Sequence, residues 1–424
     1  MKQLAKKQLQ RILSEKQYTK LLERVSRYHL YYKPSVNGNY FARAPRLCGR
    51  GINLVGYIRS DFGLGQAVRM TATALEKSGC RFSAIDFEEG NPSPKTNTEW
   101  EHKITNRFIY RTNLFNVNGD YVPVLAHHLP LGARIGKYTV AIWYWELPDL
   151  PDEWLKSFDL LDEVWAPTEF VRQAIEKKAT KPVLHMPVCI TLEQPNGLGR
   201  GHYSLPDEPF LFLTMYDVFS AQARKNPQGA INAFLEAFGP EDTSVGLVLK
   251  INNSATAPEE IDILKKQLLH CKNIYMIDKN LSRLEVNGLL NCCDAVVSLH
   301  RSEGLGLLMA EGMFFGKPAI ATNYSGNTDF MHSDNSCLVD YELVPVGQDY
   351  GVYEAKQMWA EADVSHAASY MKRLKEDNAY YNRIAQAGQQ TILTEYSPQA
   401  VGRKMRTRLD AIDIICKNRN RMTH

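Results

Sequence analysis

At 424 residues the chain is too long for one hydrophobic core and fits two domains of about 200 residues each. With 44% hydrophobic and 23% charged residues it has an ordinary globular composition, and a net charge of +3 is too small to argue for a nucleic-acid partner. No apolar run approaches the roughly eighteen residues that span a bilayer, and the cysteines include no C-x-x-C pair, which argues for reduced thiols and against a zinc site.

Residues 1–50 read as a basic, helical N-terminal extension. Its first 34 residues carry nine Lys or Arg against two Glu, with Leu4, Leu9, Ile12 and Leu13 at roughly helical spacing. Two readings fit: a helix docked on the body of the protein, or a peripheral contact with an anionic membrane surface. The basic start has no apolar stretch behind it, so no signal peptide is expected, and the expected location is the cytoplasm or the inner face of the cell membrane.

From 51 to about 195, alternating strand and helix patterns predict a parallel sheet. Gly51–Ile58 reads as its first strand, Arg59–Gly65 as a glycine turn and Gln66–Lys77 as the helix that follows. Gly63 and Gly65 are candidates for approaching a donor's phosphates, although tight strand-to-helix packing explains such a pair equally well. Further on, His127 and His128 are expected to end one strand, and Thr139–Trp145 to form the next, ending in Glu146. Either end qualifies as a catalytic position facing a cleft; Trp143 and Trp145 suit core or a stacking surface.

A stretch rich in Pro, Gly and polar residues at 191–209 reads as a linker. The second domain, 205–395, shows strands at Phe210–Met215, Gly246–Ile251, Ile274–Ile277, Ala295–Leu299 and Ala319–Thr322. Ligands of such sheets bind beyond the carboxyl ends of the strands, where Lys250, His300 and Glu303 fall. Arg224 and Lys225, adjacent cations before a helical run, suit a diphosphate whose charge grows as a bond breaks. Helices near Tyr353–Glu376 and Ser397–Cys416 close the chain, with 396–424 as a final separate segment.

The most informative stretch is Ser298–Glu311. A buried-strand run gives way to Glu303 and the turn Gly304-Leu305-Gly306-Leu307, and then to a helix carrying Glu311. Such a turn aims backbone N–H groups and the positive end of a helix dipole at one point, which favours a diphosphate. Glu303, in what reads as an exposed turn, and Glu311, eight positions on and roughly 12 Å away along a helical path, flank that point. Glu303 suits the hydroxyls of a hexose and Glu311 a ribose diol. Ser325 and Asn327, after the strand at Ala319, either present donors near the sugar or simply form a turn.

Two glutamates after a glycine-rich turn, followed by Gly316-Lys317-Pro318, resemble the signature of the retaining glycosyltransferases of family 4. Asn323–Met331, Asp217–Pro227 and Trp359–Asp363 resemble further blocks of that family. Trp143–Pro148, Asp162–Pro167 and Phe170–Arg172 resemble N-terminal landmarks of its polysaccharide-building subgroup. The resemblance implies a GT-B enzyme, two Rossmann-like doubly wound α/β domains facing across a cleft, with the last helix crossing back to the first domain. It implies a nucleoside diphosphate sugar as donor and a growing glycan, lipid-linked or free, as acceptor, in bacterial surface polysaccharide synthesis. Retention would proceed by front-face displacement without an enzymic nucleophile. The chain departs from the family in having Arg224 and Lys225 adjacent, and in offering Glu146 or His127-His128 where many members place a strand-end histidine. No Asp-x-Asp occurs, so no metal or other cofactor is expected. A nucleotide-sugar or glycan-binding scaffold, or an epimerase or phosphorylase of the same fold, are the competing readings.

Overall fold

The parallel strands assemble into two six-stranded sheets in the computed structural model, which describes residues 49–422 except 92, 131, 132, 134 and 135, with side chains through 418. The basic segment 1–34 lies outside the described residues. The first sheet comprises β1 (Gly49–Gly56), β2 (Phe82–Asp86), β3 (Tyr110–Asn116), β4 (Tyr138–Ile142), β5 (Glu163–Ala166) and β6 (Val183–His185), in the order 2-1-3-4-5-6. The second comprises β7 (Phe210–Asp217), β8 (Val245–Asn252), β9 (Ile274–Ile277), β10 (Ala295–Ser298), β11 (Ala319–Thr322) and β12 (Cys337–Val339), in the order 12-11-10-7-8-9. Every pairing within both sheets is parallel.

Both faces of each sheet are covered, which is why the strands read as nearly continuous apolar runs. Leu54 and Leu114 point into one core while their neighbours Val55 and Phe115 point into another. Leu213 and Val248 likewise face away from Phe212 and Leu249. The first of these cores also takes in Val401, Met405, Leu409 and Ile412 of the long helix Pro398–Met422, which packs against Gly63–Lys77 of the first half. Among the described residues no helix is long and apolar enough to cross a membrane.

Several local expectations are corrected. His127 and His128 do not end a strand but the helix Val122–His128: a proline in its first turn and buried Val122, Leu125 and Ala126 at helical spacing favour that outcome. Strand β4 stops at Ile142, and Trp143–Glu146 runs on without regular structure toward the second sheet. Gly63 and Gly65 belong to the first turn of the helix Gly63–Lys77 rather than to a loop before it. A Cβ on Gly65 would run into the Ser60 carbonyl oxygen, so close packing accounts for that glycine, whereas Gly63 has open space around it. The stretch from Tyr353 is not one helix. β13 (Tyr341–Pro345) and β14 (Met358–Ala362) form an antiparallel hairpin, and the helix Val364–Glu376 begins only after Asp363 caps the His366 N–H.

Candidate active site

In the second sheet the strand order reverses between β7 and β10, and the segments leaving the carboxyl ends of these two strands meet there. From β7 comes the short helix Gln222–Lys225 with Arg224 and Lys225; from β10 comes His300 through Leu307. Asn226, in the left-handed region at φ 49°, ends the short helix and caps the next at the Gly229 N–H, which fixes the direction of the two cations. The Arg301 N–H donates to the Arg224 carbonyl at 2.7 Å and stitches the two segments together.

Glu303 is not exposed. Only 9% of the residue is accessible, because the first half of the chain closes over it: the Trp145 carbonyl oxygen would lie 3.0 Å from a Cβ on Gly304, Thr168 Oγ1 donates to the Gly304 carbonyl at 3.0 Å, and Ser302 Oγ donates to the Glu146 carbonyl. Its carboxylate pairs with Lys225 Nζ on one oxygen and lies 3.4 Å from Arg224 Nη1 on the other. Burial alone would raise the Glu303 carboxyl, but Lys225 and then Arg224 outweigh it and draw it down to about 2. Arg224 is itself buried, with Nη1 also donating to the Ser302 carbonyl at 2.8 Å. His300 sits beside this cluster with no accessible surface and no hydrogen-bond partner on either ring nitrogen. Burial pushes its pKa down to about 4, so the imidazole is neutral at pH 7.

Beyond Glu303 the turn reaches Gly306 at φ 92°, a left-handed position that suits glycine, and the helix Leu307–Phe314 starts with no side-chain cap. Leu305 is buried beneath the turn, and Leu307 opens the helix. One turn in, Glu311 is 2% exposed; one carboxylate oxygen is 2.9 Å from Arg283 Nη2 and the other, buried, has no hydrogen-bond partner. The loop after β11 closes the other side. Ser325, at φ 73°, accepts from the Glu303 N–H at 2.8 Å, and the Gly326 N–H donates to the Glu303 carbonyl. Asn327 donates to the Thr322 carbonyl at 3.0 Å, and its side-chain oxygen is buried without a partner.

The structure therefore brings together Arg224, Lys225, His300, Glu303, the 304–307 turn, Ser325 and Asn327, with Glu311 a helical turn away. Glu146 joins them from the first half, one carboxylate oxygen 4.0 Å from Arg224 Nη2 and the other accepting from the Tyr353 hydroxyl at 3.0 Å. Lys250 does not join. It lies buried on β8, donating to the Ile251 carbonyl and to Asn252 Oδ1, and burial lowers its ammonium to about 8 against the pull of Asp217 and Asp278. His127 and His128 are exposed, their rings 5.6 Å apart, and His128 contacts Glu89 at 3.3 Å rather than the cluster. Trp143 and Trp145 are core, stacked edge-on against Trp154. Sequence reasoning missed Arg283 and Tyr353. Nothing near Arg283 beyond the capping box of Ser282 and Glu285 sets it apart, whereas Tyr353 stands just before the Trp359–Asp363 block.

Among the described residues no group of three or more His, Cys, Asp or Glu is arranged to hold a metal ion. No protein-family model matches the chain. Over 114 residues it is 29% identical to the lipopolysaccharide core biosynthesis glycosyltransferase LpsD of Rhizobium meliloti strain 1021, a match spanning 27% of this chain and 28% of that relative. In three dimensions it is similar to HepE of Anabaena in complex with UDP and glucose, with a TM-score of 0.61 and 13% identity, covering 86% of this chain and 100% of the other. It is similar to the same extent to sucrose-phosphate synthase of Thermosynechococcus elongatus, with a TM-score of 0.60 and 12% identity, covering 86% of this chain and 100% of that one. At such identities the likeness is one of fold, and the chain has the GT-B architecture of two Rossmann-like domains.

Proposed function

We propose that the chain is a retaining glycosyltransferase that moves a hexosyl unit from a nucleoside diphosphate sugar to a growing glycan, in the synthesis of a bacterial surface polysaccharide. The observation that carries this reading is the cluster at the β7/β10 switch point: two cations on the buried Glu303 carboxylate, beside an uncapped helix N-terminus that leads to Glu311. Lys225, Arg224 and the helix terminus supply positive charge where the leaving diphosphate gains negative charge. Glu303 orients the hexose from the same cluster. The acceptor hydroxyl attacks from the face the phosphate leaves, and the departing phosphate oxygen takes its proton. Thermal-shift titration with UDP-glucose, GDP-mannose and dTDP-rhamnose tests the donor; a ligand at 100 times its dissociation constant adds about 2.7 kcal/mol to stability. Stabilisation by at least one donor, with nucleotide release stimulated by glycan, is expected; no response to any of them would end the reading.

Glu311 has one buried oxygen without a partner, which suits a ribose hydroxyl. Glu311→Gln is expected to weaken nucleotide binding by roughly 10- to 100-fold, the worth of a hydrogen bond to a charged group, with little change in kcat. Unchanged affinity by calorimetry removes Glu311 from the nucleotide site.

The charge supplied by Lys225, Arg224 and the helix terminus makes the proposed transfer metal-independent. Activity should then survive excess EDTA and respond little to added magnesium or manganese. Loss on chelation that metal restores would refute the phosphate assignment.

The basic segment 1–34 is proposed to hold the enzyme on the anionic inner face of the cell membrane, where a lipid-linked acceptor resides. Each basic group in contact contributes about 1 kcal/mol. Deleting the segment should abolish salt-sensitive co-sedimentation with anionic vesicles and spare transfer to a soluble acceptor, whereas equal sedimentation of the two proteins rules the contact out.

A further inference from the structure

The hairpin β13–β14 belongs by chain position to the second half of the protein, but Trp359 on β14 and Val346 and Tyr353 in the connection between its strands are buried against the first. Val346, Tyr353 and Trp359 share a core cluster with Trp143, Trp145, Trp154 and Phe158. The Tyr353 ring lies 5.7 Å from that of Trp145, and Gln357 Nε2 donates to the Asp149 carbonyl at 3.0 Å. At the other edge of the hairpin Arg301 holds Glu361 at 2.6 Å and stacks over Trp359. The hairpin is thus a strap laid across the cleft beside the active-site cluster.

A phenylalanine would fill the space of the Tyr353 ring equally well, since the residue is 8% exposed among apolar neighbours. The hydroxyl does something packing does not require. It donates to Glu146 Oε2 at 3.0 Å, and burial, followed by the Glu146 charge, raises the phenol so that it remains a donor. The same ring lies 5.7 Å from the Arg224 guanidinium. Glu146 is anchored a second time through its carbonyl, which accepts from Ser302 Oγ. Its second carboxylate oxygen is 4.0 Å from Arg224 Nη2, beyond hydrogen-bond range, and the side chain is 24% exposed. A carboxylate has about four acceptor positions, so Glu146 keeps room for a hydroxyl from the cleft.

Arg224 lies between Glu303, at 3.4 Å, and Glu146, at 4.0 Å. With the donor hexose at Glu303, the position one guanidinium away is on the acceptor side. The geometry points to Glu146 as the carboxylate that receives the hydrogen bond of the acceptor sugar's hydroxyl, and to Tyr353 as the positioning residue that aims it. This rests on the glycosyltransfer reading. In the transfer the bond from the anomeric carbon to the phosphate oxygen breaks, the bond to the acceptor oxygen forms, and the acceptor's proton passes to the phosphate; Glu146 orients the hydroxyl and takes no proton.

The test uses the full-length chain with UDP-glucose, GDP-mannose and dTDP-rhamnose as donors and methyl glycosides of glucose, mannose and rhamnose as acceptors. Tyr353→Phe keeps the ring, so the melting temperature and the donor dissociation constant should match wild type. Its transfer kcat/KM should fall about tenfold or more, chiefly through acceptor KM, while hydrolysis of the donor by water continues at the wild-type rate. Glu146→Gln should lower transfer kcat/KM at least as far, again chiefly through acceptor KM. Unchanged transfer in both variants, a parallel fall in hydrolysis, or weakened donor binding would overturn the assignment, as would a wild type that binds a donor but transfers to none of the glycosides. A wild type that no donor stabilises instead sinks the glycosyltransfer reading itself.

Discussion

Glu303→Gln is expected to lose about 10- to 150-fold or more in transfer rate and, unlike a substitution in an exposed turn, to lose stability as well. The rate loss follows from removing a charged acceptor beside the reacting sugar: such a hydrogen bond is worth about 1.5–3 kcal/mol, and more if it tightens in the transition state. The stability loss follows from the cations. Removing one partner of a buried pair typically costs about 3–5 kcal/mol. Here the figure should be nearer 2, because Lys225 is 23% exposed and Arg224 retains Glu146 and the Ser302 carbonyl. The acid response carries the same signature. In the folded protein the Glu303 carboxyl is drawn down to about 2, against about 4.3 in an unfolded chain, so its stabilisation is present above pH ~4.3 and lost as pH falls through ~2. Melting curves at pH 7 and pH 3 should therefore differ more for wild type than for Glu303→Gln, while nucleotide-release assays report the activity. Wild-type turnover in the mutant would remove Glu303 from the chemistry.

The revision of Glu303 from exposed to buried marks where the sequence stops being legible. Strand, turn and helix from Ala295 to Phe314 can be read because apolar run, glycines and helical spacing are all local, and the observed elements follow that reading. What buries the turn comes from far along the chain: the Trp145 carbonyl over Gly304 and the Glu146 carbonyl on Ser302. The Arg283–Glu311 pair spans twenty-eight positions, and Tyr353–Glu146 more than two hundred; neither has a periodic signal. β14 was hidden for a related reason. Its five residues are shorter than a reliable pattern, and they become a strand by pairing with Tyr341–Pro345. At Lys250 the strand end was legible but the side chain's direction was not: it turns into its own strand's end, toward the Ile251 carbonyl and Asn252, instead of the cleft. Fold class survives such errors because it depends on alternation repeated over a dozen elements, whereas a site depends on single side chains.

Arg408→Ala is expected to cost more stability than Glu303→Gln, although Arg408 is remote from the active-site cluster. Its guanidinium, on the helix Pro398–Met422, reaches both oxygens of Glu163 on β5, at 3.1 Å through Nε and closer through Nη2. Glu163 has no accessible surface, and its other donors are neutral: the Tyr138 hydroxyl at 2.8 Å and Trp165 Nε1 at 2.7 Å. Truncating Arg408 leaves a buried carboxylate without its cation, at a cost of about 3–5 kcal/mol. For a domain of 150–250 residues each kcal/mol moves the melting temperature by about 2–4 °C, so a fall of roughly 6–20 °C is expected. Arg50→Ala is the control, because Arg50 is 64% exposed and its pairs with Asp410 and Asp413 on the same helix should each contribute under about 1 kcal/mol. The mechanism makes a further demand. If the harm comes from the stranded charge, Glu163→Gln in the Arg408→Ala background should restore part of the loss, since a neutral amide oxygen still accepts from Tyr138 or Trp165. If it comes from lost helix packing, the second substitution should add to the damage. Differential scanning calorimetry of the four proteins decides this, and a melting temperature for Arg408→Ala within about 2 °C of wild type would mean that Val401, Met405 and Ile412 hold the helix on the first half without help from the ion pair.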